Sequence, residues 1–510
     1  MNQYLWASPG RGGSGVVTRL HNDCLPTEMR VWHIDDSQSR VLIASRLTTS
    51  NFFQRGITLK VSGIATCPSR ARKLIFAVAL GLAAFALAPQ SLRAQGLDRI
   101  ERERALSMLN SIKDDLKKNY YDPSIRGMDV DVRFKTAEEK IKQATSLGQA
   151  HGVIAQVLLD LNDSHTSFAP PSRAVSVEYG WQMQAIGDQC FVAAVKPDSD
   201  AQAKGMKRGD LVLSIDGFKP TRKELWKVEY YYYALSPRPG MRLVLQSPGQ
   251  QPRQLDVAAK VKQGKRLLNV SGSGTSSQDI NDLIRESEDA DRRMRHRFQK
   301  LGGVIVWKMP TFVFEPEQVD SIMNDQIKGN AGLILDLRGN QGGYVRTLEL
   351  LVGNFFDHDL KIADRKGRKE KKPVMAKTRG KDIFLGKVVV LVDSKSASAS
   401  ELFARLMQIE KRGVVIGDVS AGAVMQSRFY PRELGVNTVV FYGASITDAD
   451  VIMTDGNSLE HTGVTPDELL IPTPEDMAAT RDPVMARAAE LLGVKLDPVK
   501  AGALFPIEWK

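Results

Sequence analysis

Four short apolar runs in the second half of the chain restrict its fold more than any other feature. "GGVIVWKM", "AGLILDLRG", "KVVVLVD" and "GVVIGD" are apolar at nearly every position, as strands covered on both faces must be. Between them lie "PEQVDSIMNDQI", "VRTLELLVGNFF" and "SELFARLMQIEKR", whose apolar residues recur at helical spacing. Strand and helix alternating in this way predict βαβ-like organisation around a largely buried sheet from about residue 301. No internal repeat accompanies it.

Upstream the pattern changes twice. "RERALSMLNSIKDDLKKNYYD" and "AHGVIAQVLLDLND" carry the helical period, which predicts helices over 97–167. From 175 to 262 the strands "DQCFVAAV", "DLVLSIDG" and "MRLVLQS" are punctuated by turns, and "SDAQAKGMKRGD" reads as a short helix ending at glycine. Residues 263–300, with "SGSGTSSQD" and "RESEDADRRMRHR", read as a linker or exposed insertion. The expected division is 96–174 helical, 175–262 β-rich, 263–300 linker, 301–480 α/β core, and 481–510 C-terminal helix and tail.

The first hundred residues account for the charge. Of the formal net charge of +11, the first 94 residues hold 11 Lys and Arg against 4 Asp and Glu, which leaves the rest at +4. With no basic tract interleaved with aromatics, nucleic-acid binding is not expected. "RARKLIFAVALGLAAFALAPQSLRAQ" has basic residues, an apolar run from Leu74 to Ala88 and a small-residue end, which is the layout of a secretory signal cleaved after Ala94. The run is about fifteen residues, short of the roughly twenty that span a bilayer. The expected location is therefore periplasmic or extracellular, with a membrane anchor only if the signal stays uncleaved. Residues 1–66 precede the signal and are read as a leader or mis-assigned start; 67–95 is the signal itself. After cleavage Cys190 alone of the three cysteines remains, so no internal disulfide is expected.

"DSKSASASELFARLMQ", from Asp393 to Gln408, sets four serines within seven residues before a helix. Ser398 and Glu401 fit a capping box, which by itself needs no catalysis. A serine between a strand end and a helix start is also exposed near the positive helix terminus, where a nucleophile belongs. "RGNQGG" after the strand "LILDL" gives a turn whose backbone can approach a substrate unobstructed.

Two stretches carry family resemblances. "AVKPDSDAQAKGMKRGDLVLSIDGFKP" resembles a PDZ domain. That implies an extended peptide added as a strand, its terminal carboxylate held by "EYGWQMQ" around Tyr179, Gly180 and Trp181, with Trp181 partly filling the groove. The "YYYY" at 230–233 reads as helix packing and surface. Together with this module, "LILDLRGNQGG", "SASASE" and "LEHTGVTPD" resemble the C-terminal processing (tail-specific) serine peptidases, which include the tricorn core. The resemblance implies a mixed α/β, ClpP/crotonase-like peptidase core with an inserted or upstream PDZ-like domain.

It further implies Ser398 as nucleophile, an oxyanion hole at Gly342 or Gly343 with the amide of Ala399, and no cofactor. Many members use a lysine about twenty-five residues after the serine; here "GDVSAGAVMQS" puts Ala423 in that place. The tricorn-like alternative is His165 from "LNDSHTSF" as base and Glu460 from "LEHTGVTPD" as its partner, either directly or through a hydroxyl. His461 is the competing base. His296 reads as part of a solvated basic face, His358 as loop polarity, and His151 has no assigned role. No metal-ligand spacing is present, and no metal is expected. The expected activity is an exported serine endopeptidase taking extended or unfolded polypeptides, including C-terminal tails. The alternative is an inactive peptide- or ligand-binding protein on the same fold. Oligomeric state is not legible.

Overall fold

The computed structural model describes residues 97–172, 175–263, 294–435 and 439–509. The expected leader and signal, and residues 264–293 of the expected linker, lie outside them.

Three helices open the described chain: α1 (Arg99–Asn119), α2 (Val130–Lys142) and α3 (Leu147–Leu159). Each starts where a side chain takes an orphan amide of the first turn, from Asp98, Asp129 and Ser146 respectively. Their apolar faces, with Leu109, Ile112, Leu116, Phe134, Ile141 and Ile154, close on one another. Directly after α3 comes the three-residue strand β1 (Ser167–Ala169).

The β-rich module contains β2 (Val175–Glu178), β3 (Trp181–Ile186), β4 (Gln189–Val195), α4 (Asp200–Ala203), β5 (Leu211–Ile215), α5 (Leu225–Tyr230), β6 (Gly240–Gln246), β7 (Arg253–Ala258) and β8 (Lys260–Gln263). Five of its strands form a sheet in the order β3-β4-β5-β6-β7, and β2 pairs with β8. Strand β3 alternates, with Trp181, Met183 and Ala185 inward, and it stands at the sheet's edge. The four tyrosines end α5 and continue into a π turn, with Tyr230 and Tyr232 buried and Tyr233 partly exposed.

The remaining strands are β9 (Arg297–Leu301), β10 (Val304–Lys308), β11 (Gly332–Asp336), β12 (Leu360–Lys366), β13 (Val374–Ala376), β14 (Lys387–Val392), β15 (Val414–Gly417), β16 (Met425–Leu434), β17 (Val440–Met453) and β18 (Glu468–Leu469). A six-stranded sheet runs β18-β15-β14-β11-β10-β9, parallel throughout except at β9. Because β9 begins at Arg297, the expected linker boundary at 300 is corrected: residues 297–300 belong to this sheet.

Helices α6 (Gln318–Ile322), α7 (Val345–Val352) and α8 (Ala399–Ile409) belong to the core over one face, with Leu335, Leu348, Leu351, Val390, Phe403 and Met407 among its buried members. The C-terminal α9 (Pro474–Ala478), α10 (Pro483–Leu491) and α11 (Pro498–Ala503) follow, and Val484, Met485, Ala488 and Ala501 pack with Val306 and Leu391 in a second cluster. Each such side chain removed from water contributes about 1.5–3 kcal/mol for the larger aliphatics, so covering both faces is what holds the sheet.

A second, antiparallel sheet runs β1-β17-β12-β13, with β16 also on β17. Here β1 from the helical region pairs with β17, Ser167 opposite Ser445 and Ala169 opposite Gly443. That pairing fastens the end of the N-terminal region to the core.

Candidate active site

Strand β14 ends at Val392, and the next six residues turn the chain into α8. Ser398 sits at the turn with φ 60° and ψ −118°. A side chain other than glycine rarely adopts that geometry, which costs about 1–3 kcal/mol and persists only where surroundings over-determine it. The serines on either side supply much of that restraint. The Ser396 hydroxyl donates to the carbonyl of Leu337 (2.9 Å) and that of Ser400 to the carbonyl of Asn340 (2.9 Å). The Ala397 amide also reaches Asn340 O (2.9 Å). Two hydroxyls thus staple the turn before α8 to the glycine turn after β11. Ser394, the first of the four, donates instead to Ala185 O on β3 (2.5 Å).

The Ser398 hydroxyl meets the imidazole of His165, Oγ to Nε2 3.2 Å, across 233 residues of sequence. His165 Nδ1 lies 2.8 Å from the hydroxyl of Ser164, and that hydroxyl lies 2.7 Å from Glu460 Oε2. A serine has one hydrogen to give, and a carboxylate can only accept. The Ser164 hydrogen therefore goes to Glu460, and Ser164 Oγ must accept from Nδ1–H. This fixes the tautomer: the Nε2 lone pair faces Ser398. Glu460 also accepts the Ser164 amide (2.9 Å) and the Val424 amide (2.8 Å). Burial lowers the His165 pKa below its ordinary 6.5, against the opposing pull of Glu460 and Asp163.

His165 is held from behind by a buried network. Asp163 Oδ1 accepts the amides of His165 (2.9 Å) and Thr166 (3.2 Å) and the hydroxyl of Thr447 (2.7 Å). Its Oδ2 accepts the hydroxyl of Tyr120 (2.9 Å).

The glycine turn lies against the serine. At Gly342 (φ +89°) an added Cβ would come 2.7 Å from Ser398 Cβ and 2.9 Å from Ala397 O, so only glycine permits the approach. Its own amide donates to Asn340 Oδ1 (2.9 Å), which corrects the expectation for Gly342 as an oxyanion donor. The amides of Gly343 and Ala399 make no hydrogen bond among the described residues. They are the pair left for an incoming oxygen. Gly343 has no room for a side chain either, because a Cβ there would sit 2.3 Å from the backbone of Phe312.

Other histidines fall away from this centre. His461 turns to the carbonyl of Asn162 (2.9 Å) and stands 3.6 Å from Glu460, making no bond to Ser398, which corrects its place as competing base. His296 is not on a solvated face: its Nδ1 accepts the indole N–H of Trp307 (3.0 Å), and burial pulls its pKa down to about 4. His358 pairs with exposed Asp357, as loop polarity suggests. His151 is buried edge-on to Phe168. Ala423 takes the place expected of a lysine, and its amide binds Glu401 (3.0 Å).

The expected peptide loop is also revised. Tyr179 and Trp181 are buried in the module's core, with the Tyr179 hydroxyl on the backbone of Arg238, so their side chains line no open groove. A Cβ at Gly180 would meet that of Ser199 at 2.4 Å. Any contact this turn makes with a peptide runs through its backbone.

Sequence reasoning missed Ser164, Ser396, Ser400, Asn340 and Asp163. Ser164 had a visible signal, a hydroxyl residue directly before the candidate base. The others are bound to distant carbonyls and amides that no local pattern names.

A hydroxyl, an imidazole, a second hydroxyl and a carboxylate aligned beside a glycine turn are the arrangement that serine hydrolases use. Residues 303–470 match the family model for Peptidase family S41. Among curated relatives, the chloroplastic carboxyl-terminal-processing peptidase 1 of Arabidopsis thaliana is 24% identical over 339 residues, covering 63% of each chain. The tail-specific protease of Haemophilus influenzae is 25% identical over 285 residues, 52% of this chain and 38% of its own. The chain thus spans less than two thirds of the length of these relatives. Mature CPAF, solved with lactacystin, superposes with a TM-score of 0.54 at 14% identity, over 74% of this chain and 96% of that one. That likeness is one of fold, and the mixed α/β architecture is the expected one.

Proposed function

We propose that this protein is an exported serine endopeptidase that cleaves extended or unfolded polypeptides, C-terminal tails among them. The observation that carries the reading is the 3.2 Å approach of His165 Nε2 to Ser398 Oγ, with Ser164 fixing the tautomer. In the mechanism it supports, Ser398 Oγ attacks the scissile carbonyl as its proton passes to His165 Nε2. The carbonyl oxygen takes the charge and rests on the amides of Gly343 and Ala399. Glu460, through Ser164, stabilises the imidazolium. His165 then returns the proton to the leaving amine, the C–N bond breaks, and an acyl-enzyme remains at Ser398. Water attacks that ester with His165 again as base, and the second product leaves.

The β-rich module is read as PDZ-like, with β3 as the edge to which a peptide adds as a strand. The chain's curated relatives are named as carboxyl-terminal-processing and tail-specific proteases, which supports tails as the substrate class. Export is inferred from the basic and apolar stretch at 70–94.

The test uses the full chain with a fluorophosphonate probe and an unfolded protein substrate. Wild type should label and cleave, Ser398→Ala should do neither, and His165→Ala should lose at least about 10³-fold in kcat/KM. Ser164→Ala and Glu460→Ala, which leave the imidazole in place but uncouple it, should lose about 10–10²-fold in kcat with little change in KM. Wild type that binds tails yet neither labels nor cleaves would establish the binding-protein alternative.

A further inference from the structure

We propose that Glu401 is a positioning residue: its carboxylate ties the backbone of the nucleophile to the loop that braces Glu460. The inference rests on the function proposed above. Glu401 is fully buried in the first turn of α8. Its Oε2 accepts the amides of Ser398 (2.9 Å) and Ala423 (3.0 Å). Its Oε1 accepts the amide of Gly422 (2.8 Å) and the hydroxyl of Ser420 (2.6 Å). The Ser420 oxygen is itself the acceptor for the Val464 amide (2.6 Å), so its hydrogen is free for Glu401.

Four donors thus converge on two oxygens, the full capacity of an ionised carboxylate. No lysine or arginine pairs with Glu401 among the described residues, so three backbone amides and the Ser420 hydroxyl support the charge, with the N-terminus of α8 contributing. A capping box would engage only the Ser398 amide. Three further donors from 420–423 lie outside any cap, and they are what gives this carboxylate a second task.

That second task is geometric. Successive amides of one loop are shared between two carboxylates: Gly422 and Ala423 bond to Glu401, and Val424 to Glu460. At Gly422 an added Cβ would lie 3.0 Å from the carbonyl carbon of His461 and 3.1 Å from the Thr462 amide, so the loop rests directly on the turn carrying Glu460. Ser398, at one end of the proton path, and Glu460, at the other, are thereby held at a fixed separation. Where relatives resembling this chain spend the loop on a lysine, here it serves as a strut between the two ends.

The experiment compares full-chain wild type, Glu401→Gln and Ser420→Ala at about pH 8, where the carboxylate is ionised. It reads kcat and KM on the unfolded substrate, melting temperature, and amide hydrogen exchange. A glutamine places an NH2 group against two donors while keeping size, and a neutral amide is easier to bury than a charge. Glu401→Gln should lower kcat about 10²-fold with KM within about threefold. Its melting temperature should hold, and exchange should quicken at residues 420–424 and 398–401. Ser420→Ala, which removes one donor outside the proton path, should lose about threefold to tenfold in kcat. Glu401→Gln with wild-type kcat and exchange overturns the inference while leaving the proposed function intact. So does a fall in kcat matched by a fall in melting temperature and a rise in KM, which would mean a merely structural role. Wild type with no labelling or turnover overturns the function itself and, with it, any part for Glu401 in a reaction.

Discussion

Each of the four serines between Asp393 and Glu401 meets a partner of its own. The chain before α8 turns at Ser394, Lys395 and Ser398 instead of running extended, so hydroxyls two residues apart do not share one face. Ser394 reaches the β-rich module, Ser396 and Ser400 grip the glycine turn, and Ser398 alone meets the imidazole. Glu401 stands directly after them, and burial pushes its carboxyl from 4.5 up to about 7 despite the donors around it. A group that holds its proton more tightly folded than unfolded favours the native state fully below its unfolded pKa, and that contribution is lost as pH rises through the folded value. For Glu401 the window runs from 4.5 to about 7. Glutamine carries no such proton. Thermal unfolding followed from about pH 5 to about pH 8 should therefore show Glu401→Gln gaining stability relative to wild type as pH rises. A difference that stays flat would mean the carboxylate is already ionised throughout.

At the scale of elements, the short strand β1 and the loop before it decide whether a site exists. β1 offers three residue pairs to β17, so the loop from Asn162 to Thr166 needs other anchors. Asp163 is the chief of these, fully engaged by Tyr120 from the end of α1, Thr447 from β17, and the amides of His165 and Thr166. Replacing it with asparagine turns an NH2 toward at least one of those donors in a buried place. The expected cost is about 1–3 kcal/mol, read as a shift of the urea midpoint, accompanied by a fall in kcat as the imidazole loses its backing. Unchanged kcat in a destabilised variant would show that the β1–β17 pairing suffices to place His165. Asp336 makes a similar anchor under the glycine turn, its carboxyl held well below the usual range by Arg338 and Lys308 in spite of its burial. Arg338 in turn bonds to Asp482 at the start of α10.

At the scale of the described chain, the β-rich module and the core meet beside the serine run that carries Ser398. Gln184 of β3 donates to Asp393 (2.7 Å), and Lys395 pairs with Glu229 of α5 (2.9 Å). Arg222 bonds to Gly187 O (2.7 Å) and Asp418 (2.9 Å). Asp393 also accepts the amides of Gly339 and Lys395, so the module touches the residue that joins the glycine turn to the serine run. Removing Arg222 leaves a largely buried Asp418 without its cation. Arg222→Ala should lower the melting temperature by several degrees, from a loss of about 1–3 kcal/mol, and should raise protease sensitivity in the segments joining module and core. Equal proteolysis of variant and wild type would place the docking energy elsewhere.

What could be read from the chain alone follows from short-range physics. Continuous apolar runs must be buried on both faces, a serine after a strand end marks the start of a helix, and paired glycines mark a backbone turn without side chains. These set the α/β sheet, the module before it, and the serine and glycine turns, whereas Ser398, His165 and Glu460 were singled out by the resemblance to the C-terminal processing peptidases. Which glycine amide stays free, which histidine turns toward the serine, and that a second hydroxyl stands between imidazole and carboxylate were decided only in three dimensions. Asn340 had to reach the Gly342 amide, Asn162 had to hold His461 aside, and β1 had to pair with β17 to span the 233 residues separating His165 from Ser398. Contacts between segments so far apart leave no local periodicity, because the partner of each polar atom is chosen by how the packed elements meet.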